Sequence, residues 1–269
     1  MINKCLIAGL PSAGKSTYIA ALWAIEKDGD TGHELTITEY PADTTYLDRL
    51  RASWQGLRPV ERTSLSEPVE IELKMKNRKS DKEISLLIPD FKGEHFQQVL
   101  ANVVSDDVKR WCGEARSILF FMRDVQPFVL QDDVPNDHTS DMPQAGDDVN
   151  MTLKDIPALM QNVMLLKYLS ESMPGTNISV CFSAIDTLGI QSPIEEWVKM
   201  NLPFLHRFLR NHFRTVNYFG VSGQGLDYDD TTLSEDEMIE KTMKKERAYI
   251  YTDRQDFDLT KPLAALLNK

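Results

Sequence analysis

Residues 9–17 read GLPSAGKST, and the spacing G-x-x-x-x-G-K-[ST], met by Gly9, Gly14, Lys15 and Ser16, restricts what this chain can fold into more than any other stretch. The run KCLIAG at 4–9 is short and apolar, which predicts a buried strand ending at a glycine. The run STYIAALWAIEK at 16–27 carries apolar residues at helical spacing. A strand, a glycine-bearing turn and a helix, in that order, make a cradle for an anion. Glycine lets the backbone curl, and main-chain N–H groups converge on the ligand with the positive end of the helix. Gly9, Leu10, Pro11, Ser12, Ala13, Gly14, Lys15, Ser16 and Thr17 are therefore expected to hold phosphates. The Lys15 ammonium would reach the β- and γ-phosphates and the Ser16 hydroxyl would ligate Mg²⁺.

A second acidic element stands downstream in EISLLIPDFKGEHF, residues 83–96. Its apolar run predicts a buried strand whose C-terminal end carries Asp90, a carboxylate able to hold Mg²⁺ through water. Gly93 follows three residues later, where a flexible backbone N–H can meet a γ-phosphate and swing away once that group has left. Phe96, Val99, Leu100, Val103, Val104, Val108 and Trp111 then predict one amphipathic helix.

With these motifs the chain resembles the P-loop GTPases of the translation-factor and Ras-like (TRAFAC) class. Within that class it most resembles the bacterial double-GTPase group of conflict and defence systems. The resemblance implies an α/β, three-layer P-loop NTPase fold with a mostly parallel central sheet, small-GTPase-like with insertions. It also implies Mg²⁺ with GTP or GDP as ligand, and two segments that order around the γ-phosphate. A switch threonine is expected just ahead of the hairpin PVEIELKMK (68–76), NRKSDK, EISLLIP (83–89), which points to Thr63, with Ser64 as its rival and Arg62 and Arg58 nearby. Thr63 would join Ser16 and Asp90 as a metal ligand. Where Ras-like proteins have Gln after the motif glycine, this chain has Glu94 and then His95, so the water-orienting role falls to one of these two. Glu94 would be repelled by a γ-phosphate, which implies slow or partner-stimulated hydrolysis.

The family reads guanine with N/T-K-x-D after a later strand. Here NISVCFSAIDTLG (177–189) puts Ser183 and Asp186 in the motif's place, with Ala184 where the base-packing Lys belongs. Asp186 keeps the carboxylate that accepts from the guanine N1 and N2 hydrogens. The run TVNYFGVSGQG (215–225) predicts a further strand, with Ser222 and Gly223 as the last base-contacting loop.

One domain over residues 1–269 is expected, with an insertion at 28–60 that holds a strand (ELTITEY) and a helix from residue 42 to 55. An acidic loop at 125–150 contains six Asp and no Lys or Arg, and a second acidic segment covers 226–245. A helix from residue 156 to about 172 is expected to carry its apolar stripe on Leu159, Met160, Val163 and Leu166. The next opens with Ser192 as N-cap, Pro193 at the first position and Glu195 completing a capping box. The run LTKPLAALLNK reads as a closing helix.

A net charge of −11 argues against broad nucleic-acid binding, which depends on Lys and Arg. No stretch has the length for membrane insertion, and the apolar start is too short for a secretory signal, so a cytoplasmic protein is expected. Cys5, Cys112 and Cys181 are far apart and odd in number, hence read as buried small hydrophobes in a reducing compartment. The expected partners are a guanine nucleotide and a protein effector or activator, and a homodimer is compatible with the sequence. Two other classes stay open: a P-loop ATPase or kinase, favoured by Ala184, and a non-hydrolysing nucleotide-binding adaptor, favoured by Glu94.

Overall fold

The computed structural model describes residues 2–27, 29, 32–58, 70–89, 94–123, 125, 156–225 and 247–267. Its strands form one nine-stranded sheet: β1 (Asn3–Ala8), β2 (Leu35–Glu39), β3 (Ile71–Asn77), β4 (Glu83–Ile88), β5 (Ser117–Met122), β6 (Asn177–Ser183), β7 (Thr215–Ser222), β8 (Tyr249–Tyr251) and β9 (Gln255–Asp256). The spatial order is β2-β3-β4-β1-β5-β6-β7-β8-β9. The five central strands β4, β1, β5, β6 and β7 run parallel, and the two at either edge pair antiparallel. This is the mixed, mostly parallel α/β sheet that the strand and helix alternation predicts.

The central strands read as unbroken apolar runs because both faces of the sheet are covered. Alternation along β1 and β5 sends Cys5, Ile7, Leu119 and Phe121 into one core, and Leu6, Ala8, Ile118 and Phe120 into the other. The first core is closed by α1 (Lys15–Lys27), α2 (Thr45–Gln55) and α8 (Lys261–Ala264). The second is closed by α3 (Glu94–Leu100), α4 (Asp106–Glu114), α5 (Ala158–Ser172), α6 (Ile194–Asn201) and α7 (Pro203–His212). Cys5, Cys112 and Cys181 are buried thiols. In β1 and β6 burial pushes the thiols of Cys5 (to about 12) and Cys181 up, which suits a packing role.

The insertion folds as β2, which pairs with β3, and α2, whose Tyr46, Leu47, Leu50 and Trp54 are buried as their spacing implies. Helix α2 lies along α1, where Trp23 Nε1 donates to Asp48 Oδ1 at 2.9 Å. It starts at Thr45, not at residue 42, because the Asp43 carboxylate accepts from Thr45 N and makes a turn there instead.

Several expectations are corrected. The amphipathic segment from Phe96 to Trp111 is two helices, not one. Asn102 takes a left-handed φ of 59°, Val103 is exposed, and Ser105 caps α4 by accepting from Val108 N. Met160 lies off the buried stripe of α5, which runs through Val163, Leu166 and Leu169. The capping box of α6 does not form: Ile194 N donates to Thr252 O at 2.6 Å, and no side chain caps the helix. Helix α6 ends at Asn201, and Pro203 takes the first position of α7. Strands β8 and β9 have no counterpart in the sequence reading. The closing segment forms α8 with a 3₁₀ turn at Ala265–Leu267. Among the described residues no helix is long and apolar enough to cross a membrane.

Candidate functional site

The turn after β1 is shaped by positions that reject a side chain. Gly9 has φ 144°, and a Cβ there would sit 2.3 Å from the Phe121 carbonyl oxygen on β5. Gly14 has φ 91°, and a Cβ there would meet the Ser183 side chain at 2.7 Å. Ser12 between them also takes a positive φ of 61°. Leu10 and Ala13 turn their side chains into the two cores, so a ligand in the turn would meet them through backbone. The Tyr18 N to Gly14 O bond at 3.0 Å opens α1, whose first turn carries Lys15, Ser16 and Thr17.

Lys15 is only 8% exposed. Its ammonium folds back onto its own turn, donating to Gly9 O and Leu10 O at 2.7 Å each. Burial pulls its pKa down to about 7, because taking the ammonium out of water disfavours the charged form. An anion arriving in the turn restores the reason for that charge.

Two further strand ends approach the same turn. At the end of β6 the Ser183 hydroxyl reaches Ala13 O at 2.5 Å and Met122 O at 3.1 Å, tying the turn to β5 and β6. The chain then passes through Ala184 in a left-handed conformation (φ 54°) and a 3₁₀ turn at Ile185–Thr187 that presents Asp186 to solvent. At the end of β7, Ser222 Oγ accepts from Gly225 N at 3.0 Å and closes the next turn. Gly223 packs on the start of α1: a Cβ there would lie 3.1 Å from Thr17 Cγ2. Gly14, Thr17, Ser183, Asp186, Ser222 and Gly223 thus line one open cleft of about 210 Å³. A single water needs only ~10–15 Å³ on that measure, so the cleft has room for an organic ligand.

Polar residues that the sequence reading did not select also share this cleft, namely Arg123 at the end of β5, Thr187 and Gln224. Gln224 is 8% exposed, and both its amide nitrogen and oxygen are without a hydrogen-bond partner among the described residues. Arg123 follows an apolar strand in FFMRD, where a charged residue at a parallel strand's C-terminal end is a readable signal. Nothing local marks Gln224 or Thr187.

Other selected residues are not brought there. His95, in the first turn of α3, is half-buried with its ring edge-on to Trp111 at 5.5 Å and its Nδ1 3.3 Å from Ser105 Oγ. Thr63, Ser64, Arg62, Asp90 and Gly93 lie outside the described residues, as do the acidic segments at 126–150 and 226–245, and Glu94 is described only by its backbone as the first residue of α3. Arg58 is described and exposed. No cluster of three or more His, Cys, Asp or Glu residues with metal-ligating geometry occurs among the described residues. His206 and His212 stack on Tyr218 and Phe208.

A family model described as Double-GTPase 1 matches residues 6–266. No curated protein matches the chain. Among solved structures the chain is similar to one titled "Signal recognition particle receptor SRb-GTP/SRX complex from Chaetomium thermophilum", at 14% identity, a TM-score of 0.40, and coverage of 84% of this chain and 93% of that one.

Proposed function

The chain belongs to the Double-GTPase 1 family, and from that premise we propose that it is a Mg²⁺-dependent GTP-binding switch whose hydrolysis is slow or stimulated by a partner. The observation that carries the reading is convergence. Gly14 at the end of the glycine-bearing turn and Thr17 in the first turn of α1 line one cleft with Asp186 and the Ser222–Gly223 turn. That arrangement offers a phosphate cradle at one end and a hydrogen-bonding edge for a base at the other. The residues fit a nucleotide: Gly9 and Gly14 leave no room for a Cβ, Lys15 is a buried cation, and Gln224 holds a buried amide with no partner.

In this reading the backbone of residues 9–14 and Lys15 hold the phosphates, and Thr17 supports the cradle from α1. Asp186 accepts from the guanine N1 and N2 hydrogens. Ser183 holds the turn against β6, and Ser222 and Gly223 shape the base loop. Ser16, Thr63 and Asp90 would ligate Mg²⁺, which when bound offsets the negative charge of the β- and γ-phosphates. Support for Asp90 comes from the register of β1 and β4: Leu6 lies opposite Leu87, so both strands leave the sheet at the same edge. Gly93 would sense the γ-phosphate, and Glu94 or His95 would orient water. His95 enters that role weakened, because Ser105 and Trp111 already engage its ring. Loss of the γ-phosphate would release the segments around Thr63 and Gly93 and change a surface read by a protein effector. The resemblance carried by the sequence motifs suggests a bacterial conflict or defence setting.

The test is a titration of GTP, GDP and ATP with Mg²⁺ on the wild type and on Asp186→Asn. Tighter binding of GTP than of ATP, with a move toward xanthine nucleotides in the variant, is the expected result. Equal affinity for ATP and GTP overturns the guanine reading in favour of the ATPase or kinase class, which Ala184 favours. Phosphate released in the same samples separates a hydrolase from an adaptor that only binds.

A further inference from the structure

The turn that closes β7 is gripped from outside the nucleotide-binding motifs. Trp54, in the last turn of α2 and 4% exposed, donates from its indole Nε1 to Gly223 O at 2.6 Å, across 169 residues of sequence. On the turn's other side a Cβ at Gly223 would lie 3.1 Å from Thr17 Cγ2, so the turn packs closely on α1. Arg247, just before β8, lays its guanidinium over the Trp54 ring, 3.6 Å from the centroid, and donates to the Trp54 carbonyl. The backbone of Arg247 also abuts Gly225, where a Cβ would fall 2.0 Å from Arg247 O. Both glycines of the turn are therefore contacted by side chains and backbone of α1, α2 and the segment just ahead of β8.

Gln224, between those glycines, keeps a buried amide with neither end hydrogen-bonded among the described residues. The turn lines the same cleft as Thr17 and Asp186.

We propose that Trp54, braced by Arg247, is a positioning residue that holds the Ser222–Gly223 turn in register for the base of the bound nucleotide. The insertion that carries α2 thereby contributes to base recognition without touching the ligand. This inference rests on the nucleotide reading above and adds to it a residue outside the recognised motifs.

The experiment uses the full chain and Trp54→Phe, which removes the N–H donor and keeps an aromatic ring under Arg247. Dissociation constants are measured for Mg²⁺-GTP and Mg²⁺-GDP and, in parallel, for inorganic tripolyphosphate, which engages the phosphate cradle alone. We expect GTP and GDP to weaken by roughly tenfold, the scale of one lost hydrogen bond that leaves a carbonyl unmet. Tripolyphosphate is expected to stay within about twofold. Unchanged nucleotide binding overturns the proposal, and so does an equal loss for tripolyphosphate, since a merely structural role weakens both. If circular dichroism shows that Trp54→Phe does not fold, Arg247→Lys is scored by the same comparison, because Lys keeps the charge and loses the planar stack. Wild type that binds ATP as tightly as GTP removes the guanine reading yet leaves the clamp to be judged by nucleotide against tripolyphosphate. Wild type that prefers GTP, with a variant that prefers it equally and as tightly, removes the clamp alone.

Discussion

Lys15 donates to Gly9 O and Leu10 O at 2.7 Å each, so a phosphate that engages the ammonium competes with two carbonyls. The exchange is favourable because the ammonium is attracted more strongly to an anionic phosphate oxygen than to a neutral carbonyl. Lys15→Met is expected to weaken GTP by about 100-fold, from two charge-assisted contacts worth ~1.5 kcal/mol each, read by calorimetric titration. Gly14→Ala acts through shape. Its φ of 91° is one that alanine resists, and the new Cβ would press on Ser183, which in turn holds Ala13 O. We expect a loss of stability of about 1–3 kcal/mol in urea unfolding, together with loss of measurable GTP binding. The strand, turn and helix around residues 9–17 were legible in the sequence because glycine stands where the backbone takes a positive φ, at Gly9 and Gly14. The exposed turn that carries Asp186 was legible from its place just after a strand. Gln224 and Trp54 were not, because what matters about them is which distant element they meet.

At the level of elements, the helices after β4 show why boundaries escape a periodicity reading. Phe96 through Trp111 keep an apolar rhythm across the break, while the short cap signal Ser105-Asp106-Asp107 decides where α4 starts. Ser105→Ala removes that cap and one hydrogen bond to His95, and is expected to cost about 1 kcal/mol in urea unfolding. Strands β8 and β9, of three and two residues, are too short to carry a period and exist because the edge of β7 is available for pairing. The capping box at Ser192 failed for a similar tertiary reason: Thr252, beside β8, supplies the carbonyl that Ile194 N needs. A charge bridge ties α4 to the start of β3. Arg110 donates to both Glu70 oxygens at 3.1 and 2.6 Å, and Trp111 Nε1 adds a third bond at 2.8 Å. Arg110 first, opposed by burial and helped by Trp111, holds the Glu70 carboxyl below its ordinary range. A lowered carboxyl pKa means that the folded chain binds fewer protons than the unfolded one, so the stabilisation is present above the ordinary Glu range and is lost as pH falls through the lowered value. Glu70→Gln should therefore lose about 1 kcal/mol at pH 7, a figure kept small by the group's exposure. Against wild type in urea melts, that deficit should close as acid protonates Glu70.

Across the whole molecule, the cleft is assembled only at the C-terminal edge of the parallel strands. Its walls come from the turn after β1 and from the ends of β5, β6 and β7, brought together through the sheet and the two cores on its faces. Residues between 14 and 225 line it, so no local segment can form the site before the sheet has formed. A ligand that joins these strand ends binds the folded chain and not the unfolded one, and its binding energy appears as global stability. With free Mg²⁺-GTP at 100 times its dissociation constant, that linkage amounts to about 2.7 kcal/mol. For a chain of this size each kcal/mol raises the melting temperature by roughly 2–4 °C. The expected result in differential scanning calorimetry is a single transition moved up by roughly 5–10 °C. The same concentrations should leave Gly14→Ala unmoved, because its turn no longer accepts the phosphates. A split transition with only one part shifted by GTP would mean that the turn after β1 and the ends of β6 and β7 unfold separately, contrary to a site built across one continuous sheet.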